Sequence, residues 1–405
     1  MKSTTFVSSR LEETREPVLE RKLIGLLAIT AGMTVANLYY SQPLLADIAH
    51  SFALSASEAG FWGTLTQLGY GLGLLLIVPL GDSLERRFLM VLLLLLEAGA
   101  LLGTAFASNT GWMSITSFAV GFLTVVPQLI LPFAASLAPD EKRARIVGTV
   151  LSGILIGILL ARTVSGFLGA ELGWRAMYGI AAGLMLVLAL ILWRTLPRQP
   201  VHGSASYLQL LASLWNIVRT EPALRPICLF GALTFAAFNM FWVTLAFFLK
   251  TPPYHFGSAV VGLFGIVGIV GAVAAPQVGK LADRTGKPRL TIGLGLLIVL
   301  LAFGVFWLFG SALWGLIVGV ILLDLGAQSA LTSCQAIVQG LRSEARSRLN
   351  TIFMTTYFLG GAVGSTLGSY GWDLGKWAGI CMIGMVLLLS ALIAFLLTSR
   401  SAHRS

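Results

Sequence analysis

The chain has 405 residues, of which 57% are hydrophobic and only 11% charged, with a formal net charge of +10 and a mean hydropathy of +0.87. A soluble domain carries about 25% charged residues, so an ordinary soluble globular protein is excluded. Apolar runs of about 20 residues, the length that crosses a bilayer as a helix, recur from end to end; they are continuous rather than alternating, which excludes a transmembrane β-barrel.

The first 22 residues are polar and mixed in charge, with no apolar core and no small-residue cleavage site, so they read as a cytoplasmic tail rather than a cleaved signal. Six predicted spans follow, near 23–50, 58–80, 88–107, 112–138, 146–168 and 174–196. The longest later polar stretch, "RTLPRQPVHGSASYLQLLASLWNIVRTEPALRP", then interrupts the apolar pattern; it contains an amphipathic surface segment around 207–218 and defines a cytoplasmic central loop over 197–223. Six more spans are predicted near 224–250, 258–280, 289–309, 312–340, 348–370 and 374–398, leaving 399–405 as a second cytoplasmic tail. With the N-terminus inside, all but Arg162, Arg175, Lys250 and Lys376 of the 27 Lys and Arg fall on the cytoplasmic face. That is the bias of the positive-inside rule, so the excess charge orients the chain and meets anionic lipid instead of nucleic acid.

The two sets of six repeat each other. "ANLYYSQPL" at 36–44 aligns with "FNMFWVTLA" at 238–246, and "GDSLERR" at 81–87 with "GKLADRT" at 279–285. "EKRAR" at 141–145 aligns with "EARSR" at 344–348, and "LGW" at 172–174 with "YGW" at 370–372. Four matches in order, each offset by about half the chain, predict two pseudo-symmetric six-helix bundles, 23–196 and 224–398, with a site between them near the membrane midplane. Cys228, Cys334 and Cys381 are scattered within spans and read as small core residues, with no disulfide framework and no zinc site.

The motif "GKLADRTGKPRL" at 279–290 resembles the signature loop of the major facilitator superfamily, G-x-L-A-D-R-x-G-R-K, and "GDSLERRFL" at 81–89 is a degenerate copy with Glu85 in place of the Asp. With twelve spans and the internal repeat, the resemblance covers essentially the whole chain. It implies an all-α fold of twelve transmembrane helices and a gate in which Gly81, Glu85, Arg86, Gly279, Asp283, Arg284 and Gly286 help close the cytoplasmic side, with Glu141–Arg145 and Glu344–Arg348 as nearby charges. "GILLARTVSG" at 157–166 is similar in spacing to the G-x-x-x-G-P-x-x-G-G pattern of the antiporter branch, with Ala161, Arg162 and Ser165 as departures; its small residues suit close packing against the other half. Ser117 stands where the family often has an intramembrane arginine in the fourth span.

Arg162 is therefore the anomaly of the sequence, a guanidinium that cannot shed its charge inside an apolar helix. Glu97 and Asp324 are the acids that lie well inside spans. Depth along the helices and the family arrangement of spans 5 and 10 predict an Arg162–Asp324 pair, the alternative being separate satisfaction by carbonyls, water or the Gln128 and Gln328 amides. Glu97, on a third span that the fold makes peripheral, is expected to be protonated and hydrogen-bonded within its own helix, or to face a partner subunit. The spans that line the centre in this family supply the candidate cavity residues Asn37, Tyr40, Gln42, Gln128, Phe238, Asn239, Trp242, Gln328 and Gln335, amides and aromatics suited to a partly apolar solute. Pro43, Pro127 and Pro132 free backbone carbonyls there and can bend the helices.

The function these residues favour is secondary transport by alternating access, with proton-coupled efflux of small organic molecules as in the drug:proton antiporter and sugar-efflux branch. "NLYYSQPL" resembles a group of bacterial inner-membrane members. Uptake of a small organic solute or anion on the same fold is the first alternative, and a non-transporting membrane sensor is an alternative of another class. No nucleophile–base, metal or phosphate-loop constellation points to an enzyme, and no cofactor is implied. The expected partners are a small-molecule substrate, protons and the lipid bilayer, with no nucleic acid, and the protein is expected to be a monomer.

Overall fold

The computed structural model describes residues 21–198, 207–284 and 288–401, the side chains of 140, 275–284, 288, 343 and 399–401 excepted. The first span is two helices, Arg21–Ala36 and Ser41–Ser51. The second runs through Ala56–Leu76 and Leu80–Ser83, the third is Arg86–Ala105, and the fourth is again broken, into Thr110–Leu123 and Val126–Leu137. Asp140–Leu172 and Trp174–Thr195 are the fifth and sixth. A surface helix, Tyr207–Thr220, precedes the seventh span, Leu224–Lys250, and the eighth to tenth are Ser258–Arg284, Pro288–Phe309 and Leu313–Leu341. The last two spans lie in one continuous stretch, Arg346–Ser401, that turns at Gly375 and Lys376, where Lys376 takes φ 49°. The protein is thus an all-α, twelve-span membrane fold. The fifth span is longer than its apolar run predicts because its first turns carry "EKRAR", 141–145, charged and exposed.

The breaks in spans 1 and 4 have a common cause. A proline cannot donate to the carbonyl four residues back. For Pro43 that residue is Tyr39, and for Pro127 it is Leu123; the helices stop at Ala36 and Leu123 and restart just before each proline. Spans 7 and 10, their counterparts in the second half, carry no proline at these positions and run unbroken.

The pseudo-symmetry extends to the packing. In the first half span 1 packs on 5, 2 on 4 and 3 on 6; in the second half 7 packs on 11, 8 on 10 and 9 on 12. Glycines make the closest contacts. A Cβ built on Gly157 would fall 2.1 Å from the carbonyl oxygen of Gly32, and one on Gly364 would fall 2.0 Å from that of Ala236. No side chain fits there, so the backbones of spans 5 and 1, and of 11 and 7, meet directly.

The halves meet most extensively along two interfaces that are copies of each other, span 5 on span 8 and span 2 on span 11, and spans 1 and 7 add a third contact. At one, a Cβ on Gly166 would fall 2.9 Å from the Cα of Gly262, and Thr163 Oγ1 donates to the Gly262 carbonyl at 2.9 Å. At the other, Gly60 is packed against Ser369, and the Thr64 and Thr366 hydroxyls are 2.9 Å apart. We call the end of the bundle that carries residues 21 and 401 the tail face and the opposite end the far face. The contacts between halves run from the far face, where Lys250 Nζ pairs with Asp47 Oδ1 at 2.8 Å, to mid-bundle. Towards the tail face the fifth span leaves span 8 and packs on span 1 of its own half, through Gly157 on Gly32 and Gly153 on Ala28. There a cleft of about 270 Å³ separates Gly81, Asp82, Arg86 and Gln128 of the first half from Arg348, Asn350 and Thr351 of the second. The surface helix crosses the mouth of the cleft: Leu210 and Leu214 line it, the Tyr207 hydroxyl donates to the Leu76 carbonyl at 2.8 Å, and Glu221 pairs with Arg342.

Candidate functional site

Arg162 lies at the changeover, where the fifth span passes from its own half to the other. It is 1% exposed. Its room comes from the eighth span, because a Cβ on Gly265 would lie 3.1 Å from the Arg162 Cβ. Nε donates to Gln42 Oε1 at 2.6 Å. The guanidinium carbon stands over the rings of Trp242 at 4.0 Å, Tyr39 at 4.9 Å and Phe238 at 5.8 Å. Desolvated cation–π contacts contribute up to about 2 kcal/mol each, so three rings and one charge-assisted bond offset much of the cost of burying the cation. Nη1 and Nη2 are buried without a hydrogen-bond partner, as is Trp242 Nε1.

Gln42 continues the network across the interface. Its Nε2 donates to Asn239 Oδ1 at 3.2 Å, Gln67 Nε2 reaches the same oxygen at 3.5 Å, and Asn239 Nδ2 donates to the Gly361 carbonyl at 2.9 Å. Spans 1, 2, 5, 7 and 11 are thereby joined through side chains that are all buried.

Asp324 is 1% exposed and has Oδ2 buried without a donor. Its carboxylate fills the space over Gly268, where a Cβ would lie 2.9 Å from Oδ2. Arg162 and Asp324 lie within each other's electrostatic field, but among the described residues no ion pair of 4.0 Å or less joins them. The direct pair read from the sequence is therefore not formed in this conformation. The physical reason is that spans 5 and 10 do not pack together: each packs on span 8. From Asp324, Gln328, Thr332, Gln335 and Gln339 follow along span 10 at helical spacing towards the tail face. Gln328 and Gln335 are half-buried, and Thr332 and Gln339 are exposed.

The structure thus brings Gln42, Phe238, Asn239 and Trp242 together with Arg162. Asn37 and Tyr40 belong elsewhere. Asn37 Nδ2 donates to Glu97 Oε1 at 2.7 Å, and Thr124 Oγ1 reaches the same oxygen at 2.6 Å. Tyr40 is buried within the field of Glu97. This corrects the reading of Glu97: its carboxyl bonds neither within its own helix nor outwards, but to the breaks of spans 1 and 4, on the inner side of the third span. Gln128 lines the tail-face cleft, and Gln335 Nε2 lies 3.4 Å from Met354 Sδ. Tyr39 and Gln67 were missed. Tyr39 is adjacent to the tyrosine that the repeat singles out, and the break at 37–40 turns it, rather than Tyr40, towards the centre. Gln67 carries the same signal as the other candidates, an amide in an apolar run, on the second span, which supplied none of them.

Of the gate residues, Gly81 is buried, with a Cβ there 2.7 Å from Leu129 Cδ2. Arg86 folds back on its own turn: Nε donates to the Gly81 carbonyl at 3.1 Å and Nη2 lies 3.4 Å from Asp82 Oδ1. Glu85 precedes the third span without capping it through its side chain. Gly279, Asp283 and Arg284 fall in the last turns of the eighth span, whose side chains lie outside the described residues, as does Gly286 altogether.

Twelve helices in two repeated sixes, joined at glycine-packed interfaces around a buried polar centre, agree with the sequence pattern of the Major Facilitator Superfamily, which matches residues 27–339. The chain belongs to the Major Facilitator Superfamily. It is 43% identical over 386 residues to the "Putative uncharacterized transporter YgaY" of Escherichia coli (strain K12), covering 95% of this chain and 97% of that protein. It is 23% identical over 328 residues to a "Probable sugar efflux transporter" of Helicobacter pylori (strain G27), covering 80% of this chain and 82% of that one. Among solved structures, a bacterial homolog of the human lysosomal transporter Spinster, in an inward-facing and unoccupied conformation, matches with a TM-score of 0.74 at 17% identity, covering 93% of this chain and 96% of that one. The facilitator chain described here is a multi-pass integral membrane protein and a secondary transporter of small organic molecules or ions. Its family membership is that of a transporter, not an enzyme.

Proposed function

We propose that this facilitator is a proton-coupled exporter of small organic molecules in a bacterial inner membrane, with both termini cytoplasmic and the tail-face cleft as its cytoplasmic entrance. The observation that carries the reading is the buried charge at the half interface. Arg162 and Asp324 share one field without an ion pair, on helices of opposite halves that must part when the protein alternates. In an exporter of this kind Asp324 takes up a proton when solute is absent and releases it when solute enters. The polar stripe of Gln328, Thr332, Gln335 and Gln339 supports a route for that proton to the tail face. The small-residue pattern of the fifth span supports the direction. Asp283 and Arg284, with Glu85 and Arg86, are proposed to close the tail face in the opposite conformation. The test is flux in proteoliposomes over a compound panel, with and without an imposed pH gradient. Gradient-driven solute movement that disappears in Asp324→Asn is expected; equal rates with and without the gradient would reject proton coupling.

A second reading is favoured by one observation, the two unpartnered Nη atoms of Arg162 beside the unpartnered indole of Trp242. These donors suit an anionic solute. The two readings differ in the sign of pH dependence. A neutral or cationic solute that displaces the Asp324 proton binds more tightly as pH rises. An anion that takes Arg162 and leaves Asp324 protonated binds more tightly as pH falls, and on the same fold it would be carried together with its proton.

A further inference from the structure

Glu97 has no part in the network around Arg162, yet it is 0% exposed in the middle of a span. Its Oε1 receives Asn37 Nδ2 and Thr124 Oγ1. Asn37 is the first residue of the break in span 1, and Thr124 lies in the break of span 4. One carboxyl therefore bridges both interruptions of the first half. The second half provides the control. The counterpart stretch of the third span, Gly295–Leu300, holds no ionisable residue, and there spans 7 and 10 run unbroken. Asn239, the counterpart of Asn37, bonds to a backbone carbonyl instead.

The cluster is short of a donor. Glu97 Oε2 and Asn37 Oδ1 are both buried acceptors with no hydrogen bond. The titratable groups within the field of Glu97 are Tyr40 of span 1 and Tyr70 of span 2. Span 4 brings the Thr124 hydroxyl, and span 6 brings Met185, whose Sδ lies 3.4 Å from Asn37 Nδ2. Among the described residues no cation pairs with Glu97. A buried carboxylate without a cation is costly, and a protonated carboxyl supplies the missing donor.

We propose that Glu97 is a proton-binding site that clasps the two helix breaks of the first half: protonated, it holds spans 1 and 4 together, and on loss of the proton it releases them. The consequence reaches Arg162, because the short helix after the break carries Gln42, five residues beyond Asn37. Release of Asn37 frees that helix to turn and carries the anchor of Arg162 with it. The use of this site in coupling rests on the transport reading above; the proton site itself does not.

The test uses the purified full-length protein in lipid nanodiscs. An infrared pH titration follows protonated carboxyl groups in the wild type, Glu97→Gln and Asp324→Asn, and hydrogen–deuterium exchange, corrected for intrinsic rates, follows the segment 33–44. A protonated-carboxyl band that survives in Asp324→Asn and is lost in Glu97→Gln is expected. Exchange over 36–42 should rise with pH in the wild type and stay flat in Glu97→Gln, whose amide keeps the acceptor and supplies the donor permanently. A band unaffected by Glu97→Gln, or exchange equally pH-dependent in both proteins, would overturn the proposal. If the band and the exchange behave as expected while flux ignores the pH gradient, the clasp stands and proton-coupled export fails.

Discussion

Arg162 and Asp324 approach the eighth span one helical turn apart, the arginine over Gly265 and the carboxylate over Gly268. Neither position tolerates a side chain of its own, so the glycines of span 8 make room for one charge from each half. These two charges are therefore linked by a field across a third helix and not by a salt bridge of their own. Such a link survives small displacements and weakens smoothly as the helices separate.

A double-mutant cycle tests this link. Arg162→Ala should destabilise the protein by leaving Asp324 without its cation unless the acid takes a proton, and Asp324→Asn should leave the cation unbalanced. Combined, the two changes should recover part of the loss, with a coupling energy of about 0.5–3 kcal/mol. Thermal unfolding in one detergent provides the measurement, and strictly additive effects would show that the two charges are satisfied separately.

The glycine interfaces make a geometric prediction. Gly166→Val places a branched side chain where a Cβ already meets the Ser258 carbonyl oxygen at 2.5 Å. Overpacking of this kind costs about 1–3 kcal/mol, and it falls on the contact between halves near the far face. The conformational balance should move away from the closed far face, read as faster labelling of a cysteine placed at Asp47. Gly60→Val, which crowds Ser369 at the pseudo-symmetric interface, should do the same. A slower rate in either variant would contradict the assignment of these contacts as the far-face seal.

Much of this architecture is legible in the sequence because it depends on period and repetition. Run length gives the spans, and the offset of about half the chain gives the symmetry, which the packing of Gly157 on Gly32 and Gly364 on Ala236 repeats atom for atom. The composition of the centre is partly legible for the same reason: an arginine, an acid and amides in apolar runs are conspicuous. What the sequence conceals is partnership. Gln42 and Asn37 look alike in "NLYYSQPL", yet one holds Arg162 and the other Glu97, because the break between them reorients the chain. The insertion of span 8 between spans 5 and 10 depends on tertiary packing that no local pattern encodes.

Topology is predicted by the same charge bias that suggested it. A cysteine placed at Ser204, in the central segment, should be labelled only after the membrane is permeabilised. Labelling from outside in intact cells would reverse the orientation and turn the tail-face cleft into an outward one.

Gln42 offers the sharpest test of the centre, because it is both the acceptor for Arg162 and the donor to Asn239. Gln42→Leu removes both bonds and leaves a buried guanidinium supported by aromatic rings. A hydrogen bond to a charged group contributes about 1.5–3 kcal/mol, so stability and transport should fall together. Gln42→Glu keeps the shape and places a carboxylate 2.6 Å from Arg162 Nε, where the neutral amide now stands. The resulting ion pair should hold spans 1 and 5 together, but a carboxylate cannot donate to Asn239 Oδ1 and that bond is lost, so thermal stability should stay near that of the wild type while transport is lost. It also supplies Arg162 with a counter-charge that needs no proton. The pH dependence of solute binding should therefore flatten, and an anionic solute should bind more weakly than to the wild type. A Gln42→Glu protein that transports normally would show that Arg162 need not be released from the first span during the cycle.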